Sequence, residues 1–259
     1  MNKLKVVLLL GQDESSRVIF NALKKECVII GVFLDKPISK FSLFSRRSKK
    51  IGLLKTIGQV AFILFSKLLY IKSKSKLAAL KDKLGLDSST IPSELICYRE
   101  NINHKKVISK LRSLNPDLIF VNGTRIISSD LIRAIPVRFV NIHVGITPNY
   151  RGVHGGYWAL ASNDKERCGV TVHIVDEGID TGEVLYQKII QVNKEDNFFT
   201  YPLKQTAAAI PLLKDVVNNF KQNNGQLVVN NELISDESRL WYHPTLVEYL
   251  SNYLKLRVK

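Results

Sequence analysis

A chain of 259 residues, 45% hydrophobic and 24% charged, has the length and composition of one large globular domain, or of one domain with a small appendage. Three cysteines (Cys27, Cys97, Cys168), odd in number and far apart, argue against a disulfide framework and fit a reducing cytoplasm. The net charge of +15 is concentrated between Lys36 and Lys83, where thirteen Lys/Arg face one acid, Asp82. Such a segment suits phosphates, anionic lipid or nucleic acid, or is a solvated helical face.

The basic N-terminus leads into an apolar run, Val6–Leu10, followed by Gly11 and acidic residues with no small-residue cleavage site. This reads as a buried strand, not a signal peptide. KVVLLLG (5–11), a helix-compatible DESSRVIFNALKKE (13–26) and CVIIGVFLD (27–35) predict strand, helix, strand, and continuous apolar strands predict a parallel sheet covered on both faces. GQDESS lacks the further glycines of a dinucleotide fingerprint, which disfavours nicotinamide or flavin. Residues 38–58 are Ser- and Lys-rich at first and read as an irregular excursion. Overlapping its end, residues 51–70 read as a helix whose apolar residues almost encircle it, so it is either packed in the protein, the preferred reading, or in an interface. No stretch reaches the roughly 18 uncharged apolar residues of a membrane span.

The alternation resumes with a helix over 105–114, a strand over 117–122, a helix near 127–134 and a strand over 138–144. A helix over 155–163 and strands over 169–178 and 183–192 follow. A helical stretch from Asp196 is expected to break or bend at Pro202 and Pro211. A short strand (227–230) and a helix from near Pro244 close the chain. The fold class is α/β, a Rossmann-like open, mainly parallel sheet with helices on both faces, a basic helical insertion over about 36–86 and a small C-terminal extension.

Asn141 and His143 have the same parity at the C-terminal end of a strand, so both side chains point to one face. Gly145 and Pro148 follow, and Asp180 stands in a second Gly-flanked loop, EGIDTG. Ligands of open parallel sheets bind outside the carboxyl ends of strands. An amide donor, an imidazole and a carboxylate converging there suit acid–base work and oxyanion stabilisation.

The segment NIHVGITPNYRG … CGVTVHIVDEGIDTGEVLYQ resembles the core of the folate-dependent formyltransferases, with their Asn-x-His strand end, Pro-x-x-Arg-Gly loop and Asp in a Gly-rich loop some 35–40 residues on. KVVLLLG and PDLIFVNGTRII resemble the family's first strand and its pterin-side strand and loop. The resemblance implies N10-formyltetrahydrofolate as co-substrate, attack of an acceptor amine on the formyl carbon, and no metal. It implies that Asn141 and a protonated His143 stabilise the oxyanion, with Asp180 orienting His143 and holding it cationic. It further implies a pterin slot lined by Asn122, Gly123, Thr124, Ile126, Val175, Asp176 and Gly178, and acceptor contacts from Tyr150, Arg151 and Gly152. Where the family commonly has Ser-Leu-Leu-Pro, this chain has Gly145-Ile146-Thr147-Pro148, so the surface offered to the acceptor differs.

On this reading residues 1–195 form the catalytic domain and 196–259 an extension. The extension is too short for the tRNA-binding domain of methionyl-tRNA formyltransferases, and glycinamide ribonucleotide enzymes lack the basic insertion. The resemblance then points to an amino-sugar nucleotide acceptor, such as GDP-perosamine or a dTDP-amino sugar, for surface polysaccharide or O-antigen. The location implied is cytoplasmic and peripheral to the inner membrane, with residues 36–83 facing anionic lipid. Few aromatics in that segment argue against nucleic acid. Methionyl-tRNA or glycinamide ribonucleotide as acceptor, a non-catalytic nucleic-acid-binding protein and a deformylating hydrolase are the alternatives. His154 and His173 read as structural, and so does Trp158.

Overall fold

The apolar runs build the middle of a seven-stranded sheet. A computed structural model describes residues 4–229 and 237–259. In chain order the elements are β1 (Lys5–Leu10), α1 (Glu14–Leu23), β2 (Val28–Leu34), α2 (Lys40–Ile51), α3 (Leu53–Lys83), β3 (Ile96–Tyr98), α4 (Lys105–Leu114), β4 (Leu118–Asn122) and α5 (Ser129–Ala134). Then come β5 (Phe139–His143), β6 (Arg151–Gly152), α6 (Gly155–Ala161), β7 (Gly169–Ile174), β8 (Val184–Ile189), α7 (Thr200–Gln222), β9 (Leu240–Trp241) and α8 (Leu246–Leu256).

The sheet order is β3-β2-β1-β4-β5-β7-β8. The pairs among β3, β2, β1, β4 and β5 are parallel, and β5·β7 and β7·β8 are antiparallel. From β1 the chain builds outward to β2 and β3, then returns to add β4 and β5 on the other side. The order therefore reverses between β1 and β4, which opens a crevice at their carboxyl ends.

Strand alternation divides the core. Val6, Leu8 and Leu10 pack with Ile19 and Leu23 of α1 and with Leu213, Val216 and Val217 of α7. Val7 and Leu9 face the other way, toward Val107 and Leu111 of α4 and Leu131 of α5. Helices on both faces explain why β1 is apolar throughout. Since α7 lies in the same cluster as β1, the central core extends past residue 195. A third, aromatic cluster joins Phe62 of α3, Tyr157 and Trp158 of α6, Phe198 and Tyr249 of α8.

Four expectations are corrected. Residues 38–58 are not irregular: α2 and the start of α3 occupy them, with the chain turning at Gly52, whose φ of 86° suits a residue without Cβ. Pro202 and Pro211 do not interrupt α7, which is one helix. Pro202 sits in the first turn, where N–H groups have no helical partner in any case. Residues 227–229 form no strand, and Asn230 lies outside the described residues. Finally, α3 is much longer than 51–70 and by length and composition alone could cross a membrane. Its packing is one-sided: Thr56, Gln59, Phe62 and Ser73 are buried, and much of the opposite face is exposed.

Candidate active site

Asn141 and His143 end β5, and β7 runs antiparallel beside them with Asn141 directly opposite His173. The Asn141 Nδ2 lies 3.1 Å from His173 Nε2 and 3.3 Å from Asp180 Oδ1. His173 Nδ1 is 2.8 Å from the carbonyl oxygen of Ile174, so Nδ1 carries the ring proton and Nε2 accepts from Asn141. His173 is thus more than a strand residue: it fixes the orientation of the Asn141 amide. Its pairing across two antiparallel strands was not readable from the spacing.

Asp180 arrives from the loop after β7 with φ 51°, a left-handed conformation that Asp tolerates. Its Oδ2 accepts from the backbone N–H of Gly152 at 2.9 Å and lies 3.4 Å from His143 Nδ1. His143 Nε2 is 2.7 Å from the carbonyl oxygen of Tyr150. Both imidazole nitrogens therefore face acceptors, and only the protonated ring satisfies both.

Burial opposes that protonation and prevails. It lowers the His143 pKa below 6.5 despite the raising effects of Asp180 and the Tyr150 carbonyl, and nearby His173 lowers it further. The expectation that Asp180 holds His143 cationic is corrected accordingly. For Asp180 itself, burial pushes upward, but His143, His173 and the Gly152 N–H more than offset this and hold the carboxyl at about 2.

Gly145 makes the His143 position possible. A Cβ there would sit 2.6 Å from His143 Nε2 and 2.4 Å from the Tyr150 oxygen. The glycine at the position where the resembled family commonly has Ser is therefore required by the close approach of ring and carbonyl.

These side chains line a cavity of about 610 Å³ at the carboxyl ends of β1, β4 and β5. Asn122, Gly123, Thr124, Ile126, Val175, Asp176 and Gly178, the expected pterin residues, all line it. The 122–127 loop is anchored from β2's end: Asp35 Oδ1 accepts from Arg125 Nε at 2.8 Å and Asp35 Oδ2 from its backbone N–H at 2.9 Å. Asn122 turns inward instead, donating to the hydroxyls of Ser15 at 3.1 Å and Ser16 at 3.2 Å. Its contribution to the cleft is therefore mostly backbone.

Of the residues expected to touch an acceptor, Gly152 lines the cavity. The Tyr150 side chain is buried, stacks on Trp241 and donates its hydroxyl to Asp164 at 2.8 Å. Arg151 donates from Nη1 to the Ile179 carbonyl at 3.1 Å. Together with the Gly152 N–H, both residues brace the His143–Asp180 pair from behind.

The cleft wall also includes residues that the sequence did not single out. Arg47 of α2 reaches it, and so do His154, Trp241, Tyr242 and His243. The 239–245 segment is clamped here. β9 pairs with β6, Trp158 Nε1 donates to the Tyr242 carbonyl at 2.8 Å, and Gln59 Nε2 of α3 donates to the His243 carbonyl at 2.7 Å. Trp158 is a buried helix residue, as expected, stacked on Trp241 at 4.7 Å. His154 Nε2 and His243 Nδ1 are 2.9 Å apart. Burial first, then the proximity of Arg47, lowers the pKa of His243 to about 4, and burial with both neighbours lowers His154 well below 6.5.

An open, mainly parallel sheet with an amide, an imidazole and a carboxylate converging over its switch crevice defines an acyl-transfer type of site. Residues 68–217, more than half of the chain, match the family described as Formyl transferase, and the chain belongs to this folate-dependent family. N10-formyltetrahydrofolate is the formyl donor of the family. Over 153 residues the chain is 31% identical to a methionyl-tRNA formyltransferase from Thermodesulfovibrio yellowstonii, a match covering 56% of this chain and 49% of that protein. It thus spans about half the length of that relative. It is 34% identical over 122 residues to the trifunctional purine biosynthetic protein adenosine-3 of Drosophila melanogaster, covering 44% of this chain and 9% of that protein. Among solved structures it is similar to a 4-N formyltransferase from Francisella tularensis (TM-score 0.54, 16% identity, 97% of this chain and 88% of that one). Glycinamide ribonucleotide transformylase 1 from Symbiobacterium toebii is similar as well (TM-score 0.57, 16% identity, 93% and 95%). At these identities the likeness is one of fold.

Proposed function

We propose that the protein transfers the formyl group of N10-formyltetrahydrofolate to the amine of an amino-deoxysugar nucleotide. The observation that carries the chemistry is the Asn141–His143–Asp180 set at the cleft wall, braced by His173, Gly152 and the Tyr150 carbonyl. The folate binds along the 122–127 and 175–180 loops. The acceptor amine attacks the formyl carbon to give a tetrahedral oxyanion, which Asn141 Nδ2 stabilises by donation and the positive charge of a protonated His143 stabilises electrostatically. A resting His143 that is neutral accepts a proton as the adduct forms, and the imidazolium then finds both its acceptors in place. Collapse of the adduct breaks the bond to folate N10, which takes back from His143 the proton given up by the attacking amine, so that tetrahydrofolate leaves and the imidazole is neutral again. Asp180, ionised throughout, holds the His143 ring in register.

Arg47 supports the phosphate-bearing acceptor. It is half-buried in the cleft wall, and among the described residues it forms no ion pair. A guanidinium facing a cleft without a carboxylate partner suits a phosphate or diphosphate. A reducing cytoplasm, where folate donor and sugar nucleotide meet, is the proposed setting. The division into residues 1–195 for catalysis and 196–259 for an extension is proposed only functionally, since the core is shared.

A second reading, with methionyl-tRNA as acceptor, is favoured by the names of the 30–35% identical relatives. The basic α2–α3 segment would then grip RNA. Single-turnover release of tetrahydrofolate from N10-formyltetrahydrofolate, with each acceptor in turn, tests the proposal. Release dependent on an amino-sugar nucleotide and lost in Asn141→Ala supports it, and release only with methionyl-tRNA replaces it with the second reading.

A further inference from the structure

We propose that the outer face of α3, flanked by α2 and α8, docks the protein on an anionic lipid bilayer. The inner face of α3 is committed to the body of the protein. Phe62 packs edge-on against Phe198 at 5.0 Å and against Tyr249 of α8 at 5.0 Å, and Gln59 holds the His243 carbonyl. The opposite face repeats apolar residues at helical spacing, and among the described residues none covers them. Leu54 is 86% exposed, Ile57 51%, Leu64 59%, Leu68 59% and Ile71 61%. From Leu54 to Ile71 the stripe is about 25 Å long at 1.5 Å per residue. Val247 (76%) and Leu254 (68%) of the neighbouring α8 are exposed too, and so is Phe41 (84%) of α2. Scattered exposed apolar residues are normal, but a stripe of this regularity marks an interaction surface.

Charge decides the occupant. The same segment bears the thirteen Lys/Arg, including the exposed Lys49, Lys50, Lys55, Lys67 and Lys72, against one acid. A second copy would bring an equally cationic surface to the contact and be repelled. An anionic bilayer offers both what the stripe needs and what the lysines need: acyl chains beneath a layer of phosphates. The bonds on its inner face keep α3 parallel to the membrane plane instead of across it. Because Gln59 and Phe62 on that inner face support the 239–245 segment and α8, the docked helix backs the segment that forms one wall of the cleft. This inference does not depend on the identity of the acceptor.

The test is flotation of the purified full-length protein with vesicles of phosphatidylcholine alone, or mixed with phosphatidylglycerol, at physiological ionic strength. Two variants accompany the native chain: Leu54→Glu/Leu64→Glu/Leu68→Glu, and Lys55→Gln/Lys67→Gln/Lys72→Gln. Circular dichroism and the sedimentation coefficient show that each is folded. The expected result is flotation with phosphatidylglycerol vesicles only, abolished by the glutamates and weakened about fivefold per lysine removed. Failure of the native protein to float with anionic vesicles overturns the proposal. So does equal flotation with neutral vesicles, which would leave no role for charge. A native dimer made monomeric by the glutamates, with no vesicle binding, would reassign the face to a contact between copies.

Discussion

Asn141 on β5 and His173 on β7 face each other directly across an antiparallel pair, with the amide nitrogen 3.1 Å from the imidazole Nε2, which accepts from it when the ring proton sits on Nδ1. One proton of the Asn141 amide is thereby committed to His173. The other points toward Asp180 at the longer distance of 3.3 Å and is the one available to an incoming oxyanion. A catalytic donor is oriented by a residue that need not touch the substrate.

His173→Ala releases this hold. The fold survives, because the strand pairing is backbone, but kcat falls about 100-fold, the scale for a misplaced catalytic group, while the KM for folate changes little. His173→Gln, whose carbonyl can accept from Asn141, recovers part of kcat. Steady-state kinetics of the two variants check this.

Gly145→Ala pushes a methyl group against the Tyr150 carbonyl and His143 Nε2. It lowers stability by about 1–3 kcal/mol, the usual cost of overpacking, and displaces the His143 ring. Urea unfolding gives the first effect. The second is a loss of kcat larger than the destabilisation explains at a temperature where the variant is fully folded.

Acid destabilises this protein in a defined window. The pKa values of His143, His154 and His243 are lower in the folded chain than the ordinary 6.5, His243 lying at about 4. Between about 4 and 6.5 the unfolded chain binds more protons than the native one, so stability is full above 6.5 and falls as pH falls. His243 alone accounts for at most about 3 kcal/mol, from 1.36 kcal/mol per pKa unit. Asp180, held at about 2 against an ordinary 3.8, adds a further loss below pH 4. Chemical denaturation at pH 7.5, 6, 5 and 4 measures the slope, and His243→Gln, which binds no proton, flattens it.

Arg47→Ala raises the KM for a phosphate-bearing acceptor about tenfold or more, as loss of a charge-assisted contact implies. Folate binding and kcat at saturation stay close to native. An acceptor without phosphate shows no such difference between the two proteins.

The sequence made the sheet and the central set legible for physical reasons. Continuous apolar runs ending in Gly or Asn mark parallel strands buried on both faces, and parity puts Asn141 and His143 on one side. It concealed what depends on distant packing. Gln59 meets His243, 184 residues on, and Arg47 enters the cleft only because Gly52 turns α2 against α3. Tyr150 and Arg151 looked like acceptor contacts because they follow the strand end. Trp241 and Ile179 draw their side chains away, a placement that no local pattern encodes.

The most direct test of the central claim is formyl transfer itself. The protein is incubated with N10-formyltetrahydrofolate and a panel of amino-sugar nucleotides, glycinamide ribonucleotide and methionyl-tRNA, and mass spectrometry reads which acceptor gains the mass of one CO. The expected result is formylation of an amino-sugar nucleotide, reduced by about 100-fold or more in His143→Ala, as for loss of a general acid–base group. Formylation of methionyl-tRNA alone, or transfer to a sugar nucleotide unaffected by His143→Ala, would contradict the account.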